Sequence, residues 1–240
     1  MALYLNGKDR GKIFIACLTA VPYSGPTVKI STDNASPLIT PNRAAERITN
    51  EANALKLVRQ KTEILVPRVI KHGTHPDGTR YLVTELIDGI MLNGVHRESC
   101  FLPQGEEKHT TETPCHTCVD RAYSNAVDYI EKIVQPQLEN IRYYERGLEG
   151  LVMPPQWLAI DVDPLWKGIK GQFKILRQDN SDYVFQHGDL SDRNIIIDKE
   201  TLQVMALIDW EYAGTFLKAW ITGRGRWMKT CVVPELMFRL

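Results

Sequence analysis

One stretch of the chain, HGDLSDRNIIIDKETLQVMALIDWEYAG at residues 187–214, constrains the fold more than any other. The runs NIIID and QVMALID have the composition of β-strands, and KETL between them is typical of a turn, so the stretch predicts a β-hairpin. Asp189 precedes the first strand, and Asp209 ends the second. Because an antiparallel hairpin places its open ends side by side, we expect Asp189, Asn194 and Asp209 to converge at one edge.

Two carboxylates and a carboxamide at one edge form a set of hard oxygen donors. Mg²⁺ prefers such ligands, together with the oxygens of a bound phosphate. The alternative interpretation is an ordinary turn before a buried strand, with no ligand at all. The spacing of Asp189, Asn194 and Asp209, combined with the hairpin, favours a site for a metal-bound phosphate.

The first third of the chain has the pattern of a small sheet with one helix. KIFIACL at 12–18 and TVKIS at 27–31 are β-type runs, and residues 46–62 carry apolar side chains at helical spacing. VPRVIKHG and RYLVTELIDG then flank the turn sequence THPDGT, which predicts two more strands. We expect this antiparallel sheet and its helix to end near Gly89.

The rest of the chain is predicted to be mainly helical. Residues 94–118 are polar and rich in turn-forming residues, so they predict a loop insertion. From 119 to about 146 apolar residues recur every three or four positions, and Pro136 should kink or divide that helix. The expected class is α+β, with a lobe at 1–89 and a second lobe at 90–240.

Composition excludes several classes of partner. Lysine plus arginine total 29, as do aspartate plus glutamate, so no overall charge attracts nucleic acid or an anionic membrane. No apolar run reaches the roughly 18 residues of a membrane span. The first residues lack a signal-peptide pattern, and five irregularly spaced cysteines do not form a secreted disulfide framework. We therefore expect a cytoplasmic protein.

The polar loop, residues 187–194, and the hairpin that follows it resemble the catalytic segment of protein-kinase-like phosphotransferases. Their pattern is H-R-D-L-x-x-x-x-N followed by a D-F-G segment. HGDLSDRN has the same five-residue step from aspartate to asparagine, and IDWEYAG stands in the place of D-F-G. Glycine after the histidine, and DWE instead of DFG, resemble the aminoglycoside phosphotransferase and choline kinase branch, particularly its fungal members.

This resemblance implies a two-lobed kinase-like fold and transfer of the γ-phosphoryl group of ATP to a hydroxyl of a small molecule. Asp189 would accept or orient the hydroxyl proton, and Asn194 and Asp209 would hold Mg²⁺ on the ATP phosphates. His187 would brace the loop. The implied partners are a nucleotide and a small hydroxylated acceptor, whose identity the sequence leaves open.

The resemblance also implies a nucleotide site in the first lobe. Lys29, on the predicted strand TVKIS, would contact the α- and β-phosphates, and Glu51 in the following helix would pair with it. The backbone around Glu85 and Ile87 would meet the adenine edge. Taken alone, a strand lysine and a helix glutamate are more often solvated surface charges.

Two features depart from the family pattern. No glycine-rich loop precedes Lys29, and only 26 residues follow Gly214, where the family places further helices. The second lobe is therefore expected to be shortened. Both departures favour an alternative function, a non-catalytic kinase-like protein that binds a nucleotide or another protein. The intact set Asp189, Asn194 and Asp209 favours the enzyme.

A cluster of cysteine and histidine residues lies in the predicted insertion. CHTC, from Cys115 to Cys118, has the spacing of a zinc half-site, and Cys100 with His96 or His109 would complete a tetrahedral set. A second C-x-x-C pair is absent from the sequence. Structural Zn²⁺ is thus one interpretation, and the sequence favours the other, thiols in a loop without metal.

Overall fold

The computed structural model of the chain describes residues 27–30, 44–97, 100, 114–143, 148–149 and 183–217. The strand predicted at 12–18 and the shortened end of the second lobe lie outside these residues. Among the residues that are described, no helix is long and apolar enough to cross a membrane.

The first sheet has three antiparallel strands in the order β1-β3-β2. Its strands are β1 (Thr27–Ile30), β2 (Val69–Thr74) and β3 (Arg80–Thr84). The turn between β2 and β3 contains Gly78 at φ 86°, in the left-handed region that glycine adopts without steric cost. The hairpin predicted around THPDGT is therefore confirmed.

Helix α1 (Ala44–Lys61) packs against this sheet. Its buried stripe consists of the apolar residues that gave the helical spacing in the sequence: Ile48, Ala52, Leu55 and Val58. Glu46 in the first turn and Lys61 in the last complement the helix dipole. The helix ends where the Thr62 hydroxyl and N–H both donate to the Val58 carbonyl, at 2.7 and 2.9 Å.

The segment that follows α1 is hydrogen-bonded to later parts of the chain. The Leu65 N–H donates to the Tyr129 hydroxyl at 2.7 Å, and the Leu65 carbonyl accepts from the Leu207 N–H at 2.8 Å. Glu63 donates its N–H to the Gln137 side chain at 2.7 Å. The C-terminal end of α1 is thereby hydrogen-bonded to two later helices, at Tyr129 and Gln137, and to the second hairpin (residues 195–207), at Leu207.

The predicted loop at 94–118 is too long at both ends. The residues after strand β4 (Ile90–Met91) form a 3₁₀ helix, Leu92–Arg97, and helix α2 runs over His116–Tyr129. Burial is the reason: Leu92 and Val95 face the core, as do the cysteines at the start of α2. Residues 101–113 lie outside the described part of the chain.

The helix predicted from 119 onward is divided as Pro136 indicated. A π-helical turn, Ile130–Val134, follows α2, and helix α3 (Gln135–Asn140) has Pro136 in its first turn. Proline lacks an N–H and fits the first turn of a new helix better than a helix interior. The helix also ends earlier than predicted, because Arg142–Tyr143 forms strand β5.

The second hairpin consists of β7 (Ile195–Ile197) and β8 (Val204–Leu207), which β4 extends into a three-stranded sheet. Strands β6 (Tyr183–Gln186) and β9 (Gly214–Leu217) pair antiparallel, with β5 beside β6. The polar loop joins β6 to β7. The class is α+β, with the small sheet and its helix first and the helices and hairpin after it, as predicted for a kinase-like chain; the lobe boundary at Gly89 stays a prediction.

Candidate active site

The second hairpin brings Asp189, Asn194 and Asp209 to one edge. The Asn194 side-chain N–H₂ donates to the Asp189 carbonyl at 2.7 Å and to the Asp189 carboxylate at 3.3 Å. Across the hairpin, the N–H of Ile208, the residue before Asp209, donates to the Asn194 carbonyl at 2.9 Å. The convergence expected from the sequence is therefore present in the structure.

Asp209 adopts a left-handed backbone conformation, φ 67° and ψ 53°. Aspartate tolerates this region better than most residues with a Cβ, and such outliers often occur at functional sites. The turn ends strand β8 and begins a short 3₁₀ helix, Trp210–Tyr212. It places the Asp209 carboxylate within 4.8 Å of the carboxylates of Glu51 and Glu211.

The pKa of Asp189 differs from that of an ordinary aspartate. Partial burial and then the charge of Asp209 raise the pKa of Asp189 to about 6, while Arg193 and the Asn194 hydrogen bond oppose the increase. A carboxylate with this pKa is largely ionised at neutral pH and is more basic than an ordinary aspartate. These are the properties that a general base requires.

His187 holds the loop from beneath. It is buried, donates from Nε2 to the Ile208 carbonyl at 2.9 Å, and accepts at Nδ1 from the Asp189 N–H at 3.3 Å. Its ring lies 4.4 Å from the Trp210 ring, centroid to centroid. A ring that donates at one nitrogen and accepts at the other is neutral, with its proton on Nε2. The contacts are those of a bracing residue.

The glycine that follows the histidine in this loop, Gly188, is required by a close backbone contact. Its φ is 83°, and a Cβ there would lie 2.6 Å from the carbonyl carbon of Tyr212 and closer still to the oxygen. The loop and the turn after Asp209 therefore touch backbone to backbone. The sequence shows the glycine but not this contact.

Helix α1 is bonded directly to the turn after Asp209. The buried Asn50 side chain donates to the carbonyls of Glu211 and Ala213 at 3.0 and 2.7 Å. Arg47 donates to the Glu211 carboxylate and the Tyr212 hydroxyl, both at 3.0 Å. Asn50 and Arg47 could not be predicted from the sequence, because their partners lie more than 160 positions later and no local pattern connects them.

Glu51, beside Asn50, is 3% exposed, and its carboxylate lies within 4.8 Å of that of Asp209. Lys29 pairs with Leu82 across strands β1 and β3, and its side chain is outside the described part of the structure. The predicted pairing of Lys29 with Glu51 therefore stays a prediction. The structure does establish that Glu51 is not a solvated surface charge.

The predicted adenine contacts lie in the segment that leaves β3. Glu85 donates its N–H to the Arg68 carbonyl at 3.0 Å, and its carboxylate accepts from the Arg68 N–H at 2.8 Å. Since that N–H is used, an adenine contact at Glu85 would involve its carbonyl oxygen. Ile87 is half-buried two residues later. The adenine role of both residues stays a prediction.

A third residue that the sequence did not indicate ties helix α2 to the polar loop. The Tyr123 hydroxyl donates to the Asp192 carboxylate at 3.1 Å, and its other neighbour is the His96 ring at 3.2 Å. Burial, followed by the charge of Asp192, raises the pKa of Tyr123 above its ordinary range. Tyr123 is thus a stable donor that positions the loop between Asp189 and Asn194.

Comparison with known proteins supports the resemblance. Residues 132–215 match the model of the phosphotransferase enzyme family, a segment that includes the polar loop and the hairpin. This match confirms the predicted resemblance, whereas the narrower fungal affiliation stays a prediction. A comparison with curated protein sequences finds no match.

Several solved structures are similar to the chain at low identity. One is an aminoglycoside-3'-phosphotransferase of type VIII, with 18% identity, TM-score 0.43, and coverage of 84% of this chain and 72% of that one. Another is an apo thermostable mutant of aminoglycoside phosphotransferase APH(4)-Ia, with 13% identity, TM-score 0.45, and coverage of 90% and 74%. A third is a ternary complex of such a mutant with AMP-PNP and hygromycin B, with 11% identity, TM-score 0.47, and coverage of 88% and 67%.

Proposed function

We propose that this chain, whose residues 132–215 match the phosphotransferase enzyme family, transfers the γ-phosphoryl group of ATP to a hydroxyl of a small molecule. The observation that carries the proposal is the edge of the second hairpin. There Asp189, with its pKa raised to about 6, is held by Asn194 and faces the charge of Asp209.

Asp189 is the proposed catalytic base. The acceptor hydroxyl donates its proton to the Asp189 carboxylate while the hydroxyl oxygen bonds to the γ-phosphorus, and the bond from that phosphorus to the β-phosphate oxygen breaks to release ADP. Asn194 and His187 fix the carboxylate and the backbone of Asp189, so that little reorganisation is needed when the acceptor is bound.

Asn194 and Asp209 are the proposed Mg²⁺ ligands. The donor set fits the ion: the Asn194 N–H₂ is directed at Asp189, which leaves its amide oxygen as the ligand atom, and Asp209 supplies a carboxylate. Mg²⁺, when bound, would neutralise charge on the phosphates during transfer. The chain's own contribution is to hold both ligands at the open end of one hairpin, since Asn194 directly precedes β7 and Asp209 follows β8 by two residues.

Lys29 and Glu51 are the proposed contacts for the α- and β-phosphates, and Glu85 and Ile87 the proposed contacts for adenine. The burial of Glu51 close to Asp209 supports this placement. Lys29 lies on β1, which pairs with β3 in the same sheet that α1 packs on.

The decisive experiment is turnover with a panel of acceptors. Purified chain, Mg²⁺ and ATP are incubated with aminoglycosides, choline-like amines, sugars and hydroxylated amino-acid derivatives, and ADP formation is measured alongside phosphorylated product by mass spectrometry. At least one acceptor should yield product with the native chain, and roughly 10²-fold less or below detection with Asp189→Asn. Nucleotide binding without product from any acceptor class would favour the alternative, a non-catalytic kinase-like binding protein.

A further inference from the structure

Three cysteines outside the active site meet in space although fifteen positions separate the first from the second. The sulfur atoms of Cys100, Cys115 and Cys118 all lie within 4.8 Å of one another, and those of Cys100 and Cys118 are 3.6 Å apart. Cys115 and Cys118 are each 1% exposed, and Cys100 is half-buried. None of the three forms a disulfide in the structure.

The spacing of these sulfurs matches the coordination shell of a metal ion. Zinc binds thiolate sulfur at about 2.3 Å in a tetrahedral arrangement, which separates neighbouring sulfurs by about 3.8 Å. The 3.6 Å between Cys100 and Cys118 is close to that edge. We propose that Cys100, Cys115 and Cys118 bind one Zn²⁺ ion as thiolates.

The position of the cluster on helix α2 favours thiolates. Cys115 is the N-cap of the helix. Because Cys118 follows three residues later, it lies in the first turn of the same helix. The partial positive charge of a helix N-terminus stabilises a nearby anion and lowers the pKa of cysteine. The ion would displace the protons of the thiols, so binding releases protons to the buffer.

Three thiolates leave one coordination position of a tetrahedral ion for a water molecule or a fourth side chain. The half-exposed Cys100 marks the side of the cluster that solvent reaches. Among the described residues, His96 on the 3₁₀ helix before Cys100 is exposed and lies outside the group of ligand atoms within 4.8 Å of one another.

The site would be structural rather than catalytic. It joins the residues after the 3₁₀ helix to the start of α2, and α2 supports the active site through two side chains. Tyr123 donates to Asp192 in the polar loop, and Asn125 donates to the Leu202 carbonyl in the hairpin at 3.0 Å. Zinc would thus fix helix α2, which is hydrogen-bonded to the polar loop and to the second hairpin.

The experiment measures the metal in the full chain purified with a reductant and without added zinc. We expect about one zinc ion per chain by mass spectrometry of the metal in the native chain, and the same in the matched control Cys231→Ser. Cys118→Ser should lose the metal. A native zinc content no higher than that of Cys118→Ser would overturn the proposal.

A second measurement covers the case in which Cys118→Ser does not fold. The native chain, stripped with a chelator and titrated with Co²⁺, should develop the near-ultraviolet sulfur-to-cobalt charge-transfer band of a thiolate site, and the half-exposed Cys100→Ser should reduce that band. Absence of the band in the native chain would overturn the proposal.

Discussion

Replacing Gly188 with alanine tests the packing that positions the active-site loop. At φ 83° alanine is in the left-handed region, which costs roughly 1–2 kcal/mol for a residue with a Cβ. The new methyl group would also lie 2.6 Å from the Tyr212 carbonyl carbon, so the backbone of one loop must move. Overpacking of this kind costs roughly 1–3 kcal/mol more, which gives roughly 2–5 kcal/mol in total.

Gly78 provides a matched control for this variant. Its φ is 86°, nearly that of Gly188, but a Cβ there meets nothing within 4 Å. Gly78→Ala should therefore lower the free energy of unfolding by the conformational term alone, roughly 1–2 kcal/mol. The difference between the two variants isolates the contact between the polar loop and the turn after Asp209.

Urea denaturation and nucleotide binding together give the result. Gly188→Ala should lose more stability than Gly78→Ala, and it should weaken Mg·ATP binding, because the displaced turn carries Asp209. Gly78→Ala should bind Mg·ATP as the native chain does. Equal losses of stability in the two variants, with native nucleotide affinity in both, would refute the backbone contact between Gly188 and Tyr212.

Four further predictions concern the same site. Asp209→Ala should abolish Mg·ATP binding by calorimetry and leave the circular dichroism spectrum unchanged; native affinity would contradict its role as a metal ligand. Asp189→Asn should keep the nucleotide affinity and reduce turnover by roughly 10²-fold or more, whereas a parallel loss of both would make Asp189 a binding residue. The pKa of Asp189 is raised to about 6 in the chain without Mg²⁺. The folded state binds the proton more tightly than the unfolded one, so stability should fall as pH rises from about 4 to about 6, and Asp189→Asn should remove that slope. Asn50→Leu should cost roughly 1–3 kcal/mol in urea denaturation by leaving two carbonyls without its donors, and an unchanged stability would argue against the bond between α1 and the turn.

The parts of the site that could be predicted from the sequence are those that local pattern determines. Strand periodicity and the KETL turn fix the second hairpin, and the hairpin fixes the meeting of Asp189, Asn194 and Asp209. The apolar spacing of α1 fixes its buried face in the same way.

The rest depends on contacts between distant positions. Asn50 is an unremarkable helix residue until its two carbonyl partners are known, and the need for glycine at 188 arises from a carbonyl 24 positions away. The polar, turn-rich composition of residues 94–118 predicts a loop for the cysteines, whereas their burial results from the folding of residue 100 onto helix α2. Such contacts leave no periodicity in the sequence.

The hydrogen bonds of helix α1 oppose its displacement from the C-terminal elements. Asn50 and Arg47 join one end of α1 to the turn after Asp209, and Leu65 joins the segment beyond its other end to β8 and α2. Displacing the helix breaks all of these hydrogen bonds together, at about 0.5–1.5 kcal/mol for each. Helix α1 is therefore tied at both ends to the C-terminal elements, in addition to its packing on the β1-β3-β2 sheet. We expect these hydrogen bonds to oppose any displacement of α1 that would separate Glu51 from Asp209.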